Sequence, residues 1–159
     1  MRALGNNRWL WGLMGIGVFL RVYPYLYNRS LWFDEAMLAN NIVEQSFSQL
    51  LEPLEYGQIA PLGFLYLEKC AYLLLGHSAY SLRLFPLLAG LLSLFLFYQL
   101  ALHFFNPLMA RLALAFLVFC DPHIYYSIEV KQYIFDVLAA LTVGLWIPVL
   151  YAAKQKMTG

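Results

Sequence analysis

Two acidic side chains, Asp34 and Glu35, stand side by side in "NRSLWFDEAML", residues 28–38, directly after a long apolar run. A carboxylate at such a boundary costs desolvation energy unless it is paired or used. A second group of reactive side chains follows in "DPHIYYSIEVKQY", residues 121–133: Tyr125, Tyr126, Ser127, Glu129, Lys131 and Tyr133. Asp136 lies just beyond, about one turn inside an apolar stretch, where an acid is costly and has a partner as a rule. Lys131, Arg83 and Arg21 are the candidates for that partner. The cations Arg21, Arg29, Lys69, Arg83 and Lys131 suit either pairing with these acids or holding a phosphate. Ordinary structural roles compete with both. Asp34 sits where a helix N-cap belongs, with Glu35 in the first turn. The tyrosine-rich group also fits an interfacial belt carrying a Glu–Lys pair. His77, His103 and His123 are scattered, and Cys70 and Cys120 lie far apart in apolar surroundings. These read as packing groups rather than as a metal site or disulfide.

The elements that must position these groups are membrane-like in composition. Of 159 residues, 62% are hydrophobic and 12% charged, against about 45–50% and about 25% in soluble domains. Aromatic residues make up 18%, and Tyr and Trp suit membrane–water interfaces. The expectation is an all-α, multi-pass transmembrane protein. The net charge of +1 carries no basic stripe of the kind nucleic acid requires. Four stretches are expected to span: about 9–27, 84–105, 107–120 and 132–153. The third is short unless the loop after it dips inward. The first follows Arg2 and Arg8 without a small-residue cleavage site, so it reads as a retained helix rather than a signal peptide. A fifth apolar stretch, Pro61–Gly76, has Glu68 and Lys69 at its middle and reads as interfacial. With Arg2 and Arg8 inside, the four-span arrangement also puts Arg111, Lys154 and Lys156 inside. It then places loops 28–83 and 121–131 on one outer face, where Asp34 and the Glu129 segment can meet. Within the first loop, residues 35–51 predict an amphipathic helix, with Leu38, Ile42, Val43, Phe47, Leu50 and Leu51 on one stripe. Asn40, Asn41, Glu44, Gln45 and Ser48 fall off that stripe. Pro53 is expected to stop this helix, Pro61 to open the next and Gly76 to close it.

In that order, "RSLWFDEA", "QIAPLGFLYLEK", "SLRLFPLLAGLLSLFLFYQLALHFF" and "YYSIEVKQY" resemble the N-terminal part of the GT-C membrane glycosyltransferases. The group most resembled is family 39, with the protein O-mannosyltransferases and the aminoarabinose transferases of lipid A. The resemblance implies a catalytic Asp, here Asp34, with Glu35 beside it in a first extracytoplasmic loop that carries helices lying along the membrane surface. It implies that Glu129, Lys131 and Tyr133 face the same site, and a polyprenyl-phosphate sugar as donor, transferred with inversion. The resemblance further implies an acceptor hydroxyl on a glycan, lipid or protein, and an active face outside the plasma (inner) membrane. Phosphate is a good leaving group and needs cations rather than an acid, with Arg29, Arg83 and Lys131 as candidates. The attacking hydroxyl needs a base, as in inverting glycoside hydrolysis. Asp136 completes the candidate substrate-binding set. No protein-held metal is expected, and a divalent cation as cofactor stays open. There are departures: Ala60-Pro61 stands where the family often has Pro-Pro, and Lys131 where many members have Arg. Members also continue through more spans, so a truncated remnant or non-catalytic scaffold is a second expectation, and a transporter subunit a third.

Overall fold

The computed structural model describes residues 8–158, the side chains of 148–158 aside. Arg2, Lys154 and Lys156, used above to orient the chain, therefore lie outside the described side chains. The chain forms seven α-helices: α1 (Arg8–Tyr27), α2 (Phe33–Glu44), α3 (Leu62–Leu75), α4 (Ala79–Phe104), α5 (Pro107–Val118), α6 (Asp121–Tyr126) and α7 (Tyr133–Thr158). Two 3-10 turns, Gln49–Leu51 and Glu55–Gly57, join α2 to α3, and there is no strand among the described residues. The helical class agrees with expectation. α4 alone is long and apolar enough to cross a membrane among the described residues; its 26 residues span about 39 Å.

α4 is the hub, packing against α1, α3, α5, α6 and α7. It starts earlier than position 84 because Ser78 caps it, accepting from the Ser81 N–H at 3.4 Å. Two apolar cores sit at different levels along it. One gathers Leu38, Ile42, Leu50, Phe64, Leu65, Leu82 and Val130 from α2, the first 3-10 turn, α3, the start of α4 and the segment before α7. The other gathers Leu10, Leu94, Tyr98, Ala110, Leu114 and Val118 from α1, α4 and α5.

Several local expectations are corrected. The helix expected over 35–51 ends at Glu44 rather than at Pro53. Beyond it, Ser46 donates both its N–H (2.8 Å) and its hydroxyl (2.7 Å) to Gln49 Oε1, a side-chain alternative to helical bonding. Asp34 is not the N-cap of α2. Trp32 holds that position, and its N–H donates to Glu35 Oε2 at 3.2 Å. Asn41, placed off the apolar stripe, is buried. Its Oδ1 accepts from the Glu55 N–H at 2.8 Å and its Nδ2 donates to Met37 O at 2.8 Å, pinning the 3-10 turns to α2. In contrast, α3 behaves as expected: Pro61 precedes it and Gly76, with φ 109°, ends it. Its 14 residues reach about 21 Å, short of the ~30 Å hydrocarbon core. Lys69 turns inward and donates to Val43 O at 3.0 Å, capping the carbonyl end of α2.

The third expected span is broken. α5 has 12 residues, about 18 Å, and α6 follows almost at once, packed back onto α4. Gly90 makes that approach possible, because a Cβ there would lie 2.6 Å from Ser127 Cβ. At the break Arg21 from α1 donates to Val118 O at 3.3 Å and to Leu117 O at 3.2 Å, the latter carbonyl also accepting the Cys120 N–H at 3.3 Å. The same guanidinium lies 2.8 Å from His123 Nδ1. Arginine only donates, so Nδ1 accepts and the ring proton sits on Nε2, which faces Ser93 Oγ at 2.7 Å. Ser93 passes its own proton to Gly90 O at 2.8 Å. His123, set aside as scattered, is thus a buried neutral imidazole, and Arg21 is its partner rather than that of Asp136.

Candidate functional site

α1 is followed by Asn28, whose left-handed backbone (φ 47°) turns the chain, a conformation Asn tolerates at helix ends. Its N–H donates to Pro24 O at 3.1 Å. The turn delivers Arg29 and then α2 beside the segment preceding α7, and the two expected loops meet. Five of the eight candidate residues make contacts between these segments or with Arg83.

Glu35 and Arg83 form the base of the site. Arg83 Nε and Nη2 each donate to a Glu35 oxygen at 2.8 Å. Glu35 Oε1 also accepts from the Val130 N–H at 3.0 Å, and Oε2 from Trp32 as above. Four donors saturate the roughly four lone-pair positions of a carboxylate, and the Glu35 side chain is 0% exposed. Arg83 Nη1 in turn donates to Asn28 Oδ1 at 3.1 Å and Arg29 O at 2.7 Å. This pair therefore ties α4, α1, α2 and the pre-α7 segment together. Its geometry revises two roles expected above: Glu35 has no free lone pair for a substrate, and Arg83 is committed to protein acceptors.

Asp34 has different surroundings. Its side chain is 52% exposed. Oδ2 lies 2.8 Å from Lys131 Nζ, and Oδ1 accepts from Gln58 Nε2 at 3.0 Å. Lys131 closes the triangle by donating to Gln58 Oε1 at 2.7 Å. Hydrogen bonds from Lys131 and then Gln58 hold the Asp34 carboxyl below its usual range, so it is ionised at neutral pH with lone pairs left over. Gln58 was not among the sequence-derived candidates. It follows Tyr56 and Gly57, whose left-handed backbones (φ 58° and 64°) make the sharp turn that brings it to Asp34; in the sequence only Gly57 hints at that turn.

Glu129 and Arg29 form a second ion pair, with the acid 3% and the base 32% exposed. Burial, and then the nearby Glu35 carboxylate, push the Glu129 carboxyl above its usual range. The Arg29 guanidinium carbon stands 5.3 Å from the centre of the Tyr125 ring, a cation–π contact. Tyr125, Tyr126 and Tyr133 form a row, with ring centres 5.3 Å and 4.7 Å apart, and Tyr133 is exposed. Asp136 stands apart from these groups. It is exposed on the first turn of α7 and makes no ion pair among the described residues, because Lys131, Arg83 and Arg21 are engaged with Asp34, Glu35 and His123. Among the described residues no three His, Cys, Asp or Glu side chains gather as a metal site.

The geometry thus offers a half-exposed carboxylate, a lysine shared between it and an amide, a half-exposed arginine, and a tyrosine row. No protein-family model matches this chain, and neither a curated protein nor a solved structure matches it.

Proposed function

We propose that the chain is part of a multi-pass membrane glycosyltransferase of inverting type. It moves a sugar from a polyprenyl-phosphate donor to an acceptor hydroxyl at the outer face of the plasma membrane. The observation that carries the reading is the Asp34–Lys131–Gln58 triangle: an ionised, half-exposed carboxylate held by groups from distant parts of the chain, with the Arg29–Glu129 pair nearby. In the reaction, the acceptor oxygen attacks the anomeric carbon while the bond from that carbon to the phosphate oxygen breaks on the opposite face. The acceptor proton goes to Asp34, and the electron pair leaves with the polyprenyl phosphate. Lys131 and Arg29 are the cations free enough to stabilise that charge. Lys131 has a double use. When it turns toward phosphate, Asp34 loses its main hydrogen bond and becomes a stronger base. Glu35 and Arg83 position α2 and do not touch substrate.

The membrane placement is supported by the distribution of side chains, which is reversed from that of a soluble protein. Arg21, Glu35, Glu68, Lys69, Arg83, His123 and Glu129 are buried, while Phe19, Leu74, Leu92, Phe116 and Ile147 are exposed. Exposed apolar surface on this scale needs a cover, and buried ionisable groups face the bundle interior in membrane proteins. α1 and α7 would cross beside α4, with α5 and α6 as one interrupted span.

The test is Asp34→Asn in the full-length protein, assayed for transfer from a polyprenyl-phosphate sugar; retained transfer removes the base assigned here. Orientation is tested separately. In a background lacking Cys70 and Cys120, cysteines at Ser46 and Ser78 are expected to react with an impermeant maleimide in intact cells. A cysteine at Asn106, at the far end of α4, is expected to stay unlabelled.

A further inference from the structure

A groove of about 510 Å³ runs between α3 and α7, walled by Phe64, Leu67, Phe135, Leu138, Ala139 and Val143. Its polar edge is supplied by Asp136 and Gln132. Gln132 Nε2 donates to Ile59 O at 3.3 Å, which fixes the amide orientation and leaves Gln132 Oε1 buried without a donor. Every wall residue on α7 lies on one stripe, and from Phe135 to Val143 it runs about 12 Å along the axis, the reach of a partial acyl chain. The lining contains acceptors and an acid but no lysine or arginine. An anionic head group at this edge would meet the Asp136 carboxylate with no cation to offset it, whereas hydroxyl donors would satisfy both Asp136 and Gln132.

We propose that this groove is a binding site for a neutral, hydroxyl-bearing membrane lipid, separate from the place where an anionic donor phosphate would bind. The inference rests on the bilayer placement proposed above and not on the transfer chemistry. The lipid's chain lies along Leu138, Ala139 and Val143, and its hydroxyl meets Asp136 at the outer end. Because Gln132 adjoins Lys131 and is bonded to Ile59, next to Gln58, an occupant there also braces the Asp34–Lys131–Gln58 triangle from behind.

The experiment is photo-crosslinking of the full-length protein in nanodiscs, with three probes carrying a diazirine in the chain: a diacylglycerol, a phosphatidate with the same chains, and a polyprenyl phosphate. Adducts are mapped by mass spectrometry. All three should label the exposed α4 face around Leu92 and Phe95, which reports bilayer exposure alone. In the groove, at residues 61–67 and 135–143, the diacylglycerol should exceed the phosphatidate about five-fold or more. Asp136→Asn should narrow that ratio, and Ala139→Trp should remove groove labelling while leaving the α4 face labelled. Equal groove labelling by diacylglycerol and phosphatidate, or strongest labelling by the polyprenyl phosphate, overturns the proposal. Absence of label on the α4 face overturns the bilayer placement itself, so the two failures are distinct.

Discussion

Asp34 and Glu35 are neighbours in the chain, yet they belong to two regions built on opposite principles. Around Glu35, every lone pair has a donor, the partner is a bidentate arginine, and the side chain is fully buried. Around Asp34, two donors hold the carboxylate and half of it stays open. The first arrangement fixes geometry and has nothing left to give a substrate. The second leaves a carboxylate half accessible, with Lys131 shared between it and Gln58. A rigid, saturated pair beneath an under-committed one is the usual physical solution for presenting a reactive group, because the support sets position while the reactive group keeps spare valence.

The contrast is broken most strongly at Arg83. Arg83→Met removes the partner of a fully buried carboxylate, and a loss of about 3–5 kcal/mol in unfolding free energy is expected; a change below about 1 kcal/mol would mean that Glu35 has another partner. Glu129 gives an intermediate effect that depends on pH. Its folded pKa lies above the ordinary value, mainly from burial. Its contribution is therefore fully present below the unfolded pKa and lost as pH rises through the folded one. Thermal unfolding from mildly acidic to neutral pH should show the wild type falling relative to Glu129→Gln; parallel profiles would contradict the raised pKa. Asp34→Asn keeps an amide oxygen for Lys131, whose side chain is only 8% exposed, so a stability loss of about 1–2 kcal/mol, smaller than at Arg83, is expected, together with loss of the proposed transfer. A large stability loss would place Asp34 in the supporting region instead. The smallest effect is at Lys131. Lys131→Met should raise the Asp34 pKa by removing its main hydrogen bond, read by carboxyl-carbon NMR titration, and an unmoved pKa would leave Gln58 as the controlling group.

Much of the helical layout was legible. Pro61 and Gly76 bracket α3 as expected, and Pro107 begins α5 with Asn106 as its cap, accepting from Met109 N–H at 3.0 Å. These are local signals, carried by residues whose backbone preferences act without partners. The loop arrangement pointed to a meeting of the Asp34 stretch with the Glu129 segment, but it did not pair Asp34 with Lys131, a candidate for Asp136. What escaped was the assignment of partners. Asp136 lacks the cation expected for it because each candidate has an acceptor elsewhere. Arg21 was a candidate partner for Asp136, yet it is buried and donates to His123 and to carbonyls at the break after α5. Asn41, apparently polar surface, became a buried clamp because the 3-10 turns fold back over it.

Sequence by itself determined that this chain is helical, apolar on its exterior, and furnished with two acidic segments able to converge. Periodicity, helix punctuation and composition are properties of neighbouring residues, so they survive without the fold. Only the tertiary structure decided which acid is saturated and which is open, that a glutamine completes the open one, and that an arginine and a histidine close the gap between α5 and α6. Those outcomes depend on which donors arrive within about 3 Å of which acceptors. Groups 95 residues apart, as the Glu35 carboxylate and the Val130 N–H are, acquire that relation only when the whole bundle packs.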